Sequence, residues 1–238
     1  MEIQFDFNFM LVALKQSVIY IPITLILAIV PFIVGLVIGT LIALARFYKV
    51  PILNRILQIY VVVIKGTPVV LLLILIYSAI ISGFDGVAEK LHLAIRTKDI
   101  NTIYIAFIAL SSFSIVNISE TIRGALSSVD IGQYEAAYSV GMTRSQTLRR
   151  IIFPQILPIS LPMLCSNLIS LVKGSSLAFM ISVTEVLNAA LITATSNYNF
   201  LEAYVAAAMV YWVICITIEG IAHILGNHLR VYVSGASV

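Results

Sequence analysis

Long apolar runs separated by short clusters of charge are the dominant pattern along this chain. Between Lys15 and Arg46 about thirty positions pass without a charged residue, more than the roughly 20 that carry a helix across the hydrocarbon of a bilayer. The pattern predicts helix 1 over residues 19–45 and a second apolar run over 56–81, interrupted by Lys65-Gly66-Thr67-Pro68. Residues 82–99 are mixed in charge and contain the turn-prone Gly83-Phe84-Asp85-Gly86, which predicts an external loop. Helix 3 is expected over 100–122, a polar stretch over 123–150, and helix 4 over 151–172, ended by Lys173-Gly174-Ser175-Ser176. Residues 174–184 are apolar but too short to cross, and 185–199 are mixed, so this region reads as broken or re-entrant helix. Helix 5 is expected over 200–225, where Glu202 and Glu219 bracket about sixteen uncharged residues.

Composition agrees with this pattern. Of 238 residues, 61% are hydrophobic and only 11% are charged, with mean hydropathy +1.06. A water-soluble domain carries about 25% charged residues, so this chain cannot cover a wet surface and belongs in a membrane. Lipid leaves a spanning backbone only two forms, helix or closed barrel, and continuous rather than alternating apolar runs select the helix. The expected fold is an all-α polytopic membrane protein with five transmembrane helices. The segments after helices 1, 3 and 5 hold Arg46, Lys49, Arg55, Arg123, Arg144, Arg149, Arg150 and Arg230. By the excess of basic residues on cytoplasmic loops, the N-terminus is expected outside and the C-terminus in the cytoplasm. The net charge of +3 arises from these loop residues and forms no phosphate-binding stripe, which argues against nucleic acid. Residues 1–8 hold Glu2 and Asp6 but no basic head, so helix 1 is expected to be retained rather than cleaved as a signal peptide.

Several chemistries find no support. Cys165 and Cys215 lie in apolar segments 50 residues apart and read as packing residues; His92, His223 and His228 lack companions at ligand spacing, so no metal site is expected. No Gly-x-Ser-x-Gly, no His-Glu-x-x-His, no mid-span histidine and no aspartate-rich motif occurs, which argues against an intramembrane enzyme. The absence of a Gly-x4-Gly-Lys-Ser/Thr loop means that the chain holds no ATP of its own, and any ATP-driven work needs a partner. An odd helix count without an inverted repeat argues against a self-contained secondary transporter. Composition alone leaves a channel or a passive scaffold open.

The polar stretch is the most informative. Glu135-Ala136-Ala137-Tyr138-Ser139-Val140-Gly141 predicts a short helix closed by glycine in the left-handed conformation. Thr143-Arg144-Ser145-Gln146 fits a capping box that opens a second short helix, expected to run to Phe153 and stop at Pro154. Two short helices with a tight elbow make either a rigid knob for another protein or a plain connector.

These residues resemble a known family. Glu135-Ala136-Ala137, Gly141, Ile151 and Pro154 are spaced as in the EAA loop of permease subunits of bacterial ABC importers. Lys65-Gly66-Thr67-Pro68, Glu120-Thr121-Ile122-Arg123-Gly124-Ala125, Gly132-Gln133-Tyr134-Glu135-Ala136-Ala137 and Ile169-Ser170-Leu171-Val172-Lys173-Gly174-Ser175-Ser176-Leu177 are similar to segments of the polar amino-acid branch. The resemblance implies one permease domain over residues 1–238 of the type I importer kind, in the bacterial plasma membrane, with a cytoplasmic coupling loop over 123–155. It implies an ABC ATPase dimer that binds ATP and Mg²⁺, an extracellular or periplasmic amino-acid-binding protein, and a second permease copy. An identical copy is favoured, and a related second subunit stays open. Glu135, Ala136, Ala137 and Gly141 are the implied ATPase-coupling residues. Leu187 to Thr193 and Tyr204 to Trp212 look most like cystine permeases, which makes L-cystine the expected substrate, with glutamine or another polar amino acid as the alternative.

Charges inside apolar spans cost about 2.5–3.5 kcal/mol at mid-depth and therefore mark candidate functional positions. Lys65, Glu120 and Lys173 are such residues, and Gly66, Thr67 and Pro68 are expected to break helix 2 and free backbone groups to line a path. Ser175 and Ser176 complete the expected substrate pathway. The competing readings are a snorkelling Lys65 and ordinary helix–helix hydrogen bonding by the serines. Gly174 stands where the family commonly has Asp, which argues against a strongly cationic substrate.

Overall fold

The computed structural model describes residues 5–92, 94 and 96–235, with side chains as far as Asn227. Glu2 and the rest of residues 1–4, the side chains of His228 and Arg230, and residues 236–238 lie outside the described residues. Among the described residues all regular structure is helical. Five helices are long and apolar enough to cross a membrane, which bears out the all-α, five-span expectation.

The first helix was not expected. Asp6 accepts a hydrogen bond from Phe9 N (3.0 Å) and caps α1 (Phe7–Ile19). Its 13 residues are too short to cross, and it packs against α10 (Val186–Ala194) and α11 (Phe200–Gly235). The Asp6 amide donates to Glu202 Oε1 (3.0 Å), so the chain start is pinned to the last span.

The first span, Ile21–Phe47, is α2 (Ile21–Val34), a π-turn over Gly35–Gly39, and α3 (Thr40–Phe47). Gly35 and Gly39, four apart, face α6. A Cβ on Gly35 would stand 2.2 Å from Ser114 Oγ, and one on Gly39 2.8 Å from the Ile115 carbonyl oxygen. Small residues at this spacing let helix backbones approach closely where no hydrophobic effect drives helices together.

The predicted second helix is two helices, α4 (Leu53–Gly66) and α5 (Val69–Lys90), and only α5 is long enough to span. Pro68 lacks the amide that would continue the ladder and forces Thr67 into extended backbone (φ −98°, ψ 124°). α5 also runs through residues expected to form a loop, past Gly83 and Gly86 to Lys90, and both glycines keep helical backbone. Of the rest of that expected loop, residues 93 and 95 lie outside the described residues.

The third span, α6 (Thr102–Ser128), is capped by Asn101 and is the most buried of the five. It contacts α2, α3, α4, α5 and α9 and is the axis of the bundle. Next come α7 (Ile131–Ser139), α8 (Arg144–Thr147), a π-turn over Leu148–Ile152, and α9 (Phe153–Ser175). Here the expected stop at Pro154 is corrected. Pro154 sits just after the π-turn, whose wider winding accommodates its ring and missing amide, and helix continues from Arg144 to Ile181. After Ser175 the chain tightens into a 3₁₀ turn (Ser176–Ile181), passes left-handed Ser182 (φ 65°), and enters α10 (Val186–Ala194). This is the broken segment read from the sequence. The last helix, α11 (Phe200–Gly235), extends ten residues beyond its expected end at 225.

Candidate functional site

Glu120 gathers charge from three helices. Arg46, the penultimate residue of α3, donates to Glu120 Oε1; Arg123, one turn on along α6, donates to both oxygens at 3.4 and 3.3 Å; and Lys65 Nζ of α4 lies 3.8 Å from Oε2. The Arg46 and Glu120 side chains are 12% and 25% exposed, whereas Lys65 is 61% exposed, so the arginine is the committed partner and the lysine a loose one. The sequence singled out Lys65 and Glu120 separately, and the fold brings them together. It treated Arg46 only as a topology marker, because a pairing across 74 residues leaves no local trace, and Arg123 as a topology marker within a family-like segment. Beside Lys65, Gly66 faces open space and Thr67 Oγ1 donates to the Val63 carbonyl (2.8 Å), so the break after α4 is closed by its own side chain.

The elbow between α7 and α8 forms as its caps predict. Asp130 accepts from Gly132 N (2.6 Å), Gly141 turns back at φ +79°, and Met142 N donates to the Ala137 carbonyl (3.1 Å). Thr143 and Gln146 cap each other reciprocally at 3.3 and 2.9 Å. Glu135, Ala136 and Gly141 are exposed, whereas Ala137 is buried at 2%. Ile131 (72% exposed) and Val140 (76%) flank Glu135 and Ala136, so the outward surface is apolar around one carboxylate.

Three consecutive residues at the end of the first span tie it to α6 and to this elbow. Arg46 reaches α6, Phe47 stacks at 6.0 Å on Tyr134 of α7, and the Arg144 guanidinium of α8 lies 5.9 Å over the Tyr48 ring. Burial raises the phenol pKa of both Tyr48 and Tyr134, so these rings stay neutral at working pH.

The other expected path residues lie elsewhere. Lys173 and Ser176 line an open cavity of about 560 Å³ with Leu187, Tyr204, Tyr211 and Glu219. Ser175 is fully buried and donates to the Val172 carbonyl (2.7 Å), so it does not reach this cavity. Glu219 also lines a second cavity of about 270 Å³ with Cys165, Ser166 and His223, so the two share this wall residue between α9 and α11. Behind the first cavity is Glu185, which the sequence gave no role. Fully buried, it caps α10 through Leu187 N (3.0 Å) and Asn188 N (2.9 Å) and accepts from the Tyr211 hydroxyl, while Val186 N donates to Thr24 of α2 (3.2 Å). A glutamate just before a short apolar helix is the signal that could have found it.

The family model described as "Binding-protein-dependent transport system inner membrane component" matches residues 35–231. The chain belongs to this family. It is similar to the probable amino-acid ABC transporter permease protein PatM of Vibrio harveyi, 33% identical over 208 residues (87% of this chain, 89% of the relative). It is also similar to the L-cystine transport system permease protein TcyL of Bacillus subtilis (strain 168), 33% identical over 221 residues (92% and 89%). Among solved structures, one described as an amino acid ABC transporter with histidines superposes with TM-score 0.78 at 25% identity, covering 95% of this chain and all of that one.

As a permease of this family the protein is a multi-pass membrane component of a transport system rather than an enzyme, consistent with a bacterial inner membrane, and the family implies an ATPase partner. The permease joins α8 of its elbow to α9 through the π-turn without a break in helix, and α9 ends at Ser175.

Proposed function

We propose that the chain is the translocation subunit of an ATP-driven importer for a polar amino acid, L-cystine first. Residues 1–238 act as one permease domain, and residues 123–155 are its cytoplasmic coupling loop. The observation that carries this reading is the α7–α8 elbow, which exposes Glu135 and Ala136 amid Ile131 and Val140 and continues as helix into α9. ATP and Mg²⁺ bind the ATPase dimer, whose cleft takes the elbow; Glu135 pairs with a cation there and Gly141 sets the angle.

The cavities between α9 and α11 support the place of translocation. Lys173 and Glu219 are exposed on span faces, and charge turned toward lipid is costly. A second permease copy, identical to this one, covers that face and encloses a wet path. Opposite charges on the wall of one cavity suit a zwitterion: Lys173 takes a carboxylate and Glu219 an ammonium group, and cystine offers both at each end. An external binding protein delivers it.

Uptake of labelled cystine into liposomes holding the permease, its ATPase and its binding protein tests this, with glutamine as competitor. ATP-dependent uptake that excess glutamine leaves intact supports the reading. Uptake of glutamine in preference to cystine overturns the substrate, and a complex without an ATPase overturns the transport role.

A further inference from the structure

The turn from α3 to α4 and the outer face of α4 belong neither to the elbow nor to the cavities between α9 and α11. α4 is about 21 Å long at 1.5 Å per residue, short of the roughly 30 Å of hydrocarbon, so it cannot be a span. One face, with Leu57, Tyr60, Val61 and Ile64, packs on Ile42, Ile115 and Val116. The opposite face leaves Ile56 (59% exposed), Ile59 (59%), Val62 (64%) and Val63 (58%) bare. A helix too short to span, at the end of a membrane span and carrying Asn54, Arg55, Gln58 and Lys65 beside its apolar residues, suits the plane of the interface.

A cavity of about 400 Å³ opens where this face meets the turn. Lys49, Asn54 and Arg55 supply its polar wall, and Ile52, Ile56 and Ile59 its apolar one. Among the described residues no carboxylate lines it, and neither cation is in an ion pair. The turn adopts left-handed backbone at Lys49 (φ 51°) and at Ile52 (φ 64°), the second a costly conformation for a β-branched residue. Strain of this kind persists where its surroundings impose it and is a pointer to use. Its effect here is to hold Lys49 and Arg55 on one rim while Ile52 projects outward, 81% exposed.

We propose that this turn and face bind an anionic phospholipid, its phosphate between Lys49 and Arg55 and its acyl chains along Ile56 and Ile59. The charge is complementary, the donors of Asn54 complete the phosphate contacts, and the apolar wall continues into the hydrocarbon where tails must go. Basic residues beside a membrane surface each strengthen binding to anionic lipid about 5.5-fold, so the pair contributes about thirtyfold.

The test is native mass spectrometry of the full-length permease with its ATPase, in detergent, titrated with phosphatidylglycerol or phosphatidylcholine. The inference requires preferential phosphatidylglycerol binding that falls about thirtyfold in K49Q/R55Q and holds in K90Q/K98Q, which removes two cations elsewhere. An unchanged melting temperature of K49Q/R55Q shows that the loss is not unfolding. Equal binding of phosphatidylcholine overturns the proposal, as does full displacement by glycerol 3-phosphate at the lipid's concentration, which makes the site one for small anions. Efficient disulfide dimers from Ile59→Cys also overturn it, since the face is then an interface between copies. Lipid binding is read without substrate or nucleotide, so the outcome stands apart from the transport reading.

Discussion

Arg46 donates to Glu120 across the contact between α3 and α6, closing an ion pair between the end of the first span and the axial helix. Its neighbours Phe47 and Tyr48 reach α7 and α8, so one helix end ties the bundle to its exposed elbow.

Glu120→Gln leaves Arg46 largely buried without its counter-charge. A loss of about 1.5–3 kcal/mol is expected, read as a lower melting temperature of the detergent-purified permease. Arg46→Gln in the same chain recovers part of it. Strictly additive single and double mutants would show that the pair is not coupled.

Ala136 and Ala137 are adjacent in sequence but face opposite ways. Ala137→Leu overpacks the base of the elbow and is expected to cost about 1–3 kcal/mol of stability. Ala136→Leu is expected to keep the melting temperature and to weaken retention of the ATPase on a tagged permease. The reverse pattern would put the docking face on the wrong side of α7.

Gly39→Ala drives a methyl to within 2.8 Å of the Ile115 carbonyl and is expected to cost about 1–3 kcal/mol as α2 and α3 shift from α6. Gly66→Ala meets nothing within 4 Å and is expected to change stability by less than about 1 kcal/mol. Thermal melts of the two variants decide it; equal losses would remove the close-approach argument.

Lys173→Gln is expected to lower amino-acid uptake about tenfold at limiting substrate, the effect of one charge-assisted contact. Ser175→Ala, whose hydroxyl bonds its own helix, is expected to transport normally. Wild-type uptake by Lys173→Gln would take the cavity between α9 and α11 out of the path.

Tyr211→Phe removes a donor from the fully buried Glu185 and is expected to lower the melting temperature by the equivalent of about 1.5–3 kcal/mol. An unchanged melt would mean that the two capping amides satisfy the carboxylate alone.

What the sequence determined by itself was one-dimensional. Five spans follow from runs of apolar residues, because the cost of burying charge in lipid is registered residue by residue. The elbow follows from Gly141, Thr143 and Gln146, whose partners all lie within five residues. Local chemistry can mislead where context overrides it: Pro154 reads as a stop, yet directly after a π-turn it stays within continuous helix. Only the tertiary structure decided what meets what. It joined Glu120 to Arg46 and Lys65, turned Ala137 inward, took Ser175 out of the cavity that Lys173 lines, and set Glu185 beneath Tyr211. Those contacts depend on which helix faces which, a property of packing between segments far apart in the chain, and no spacing along the sequence encodes it.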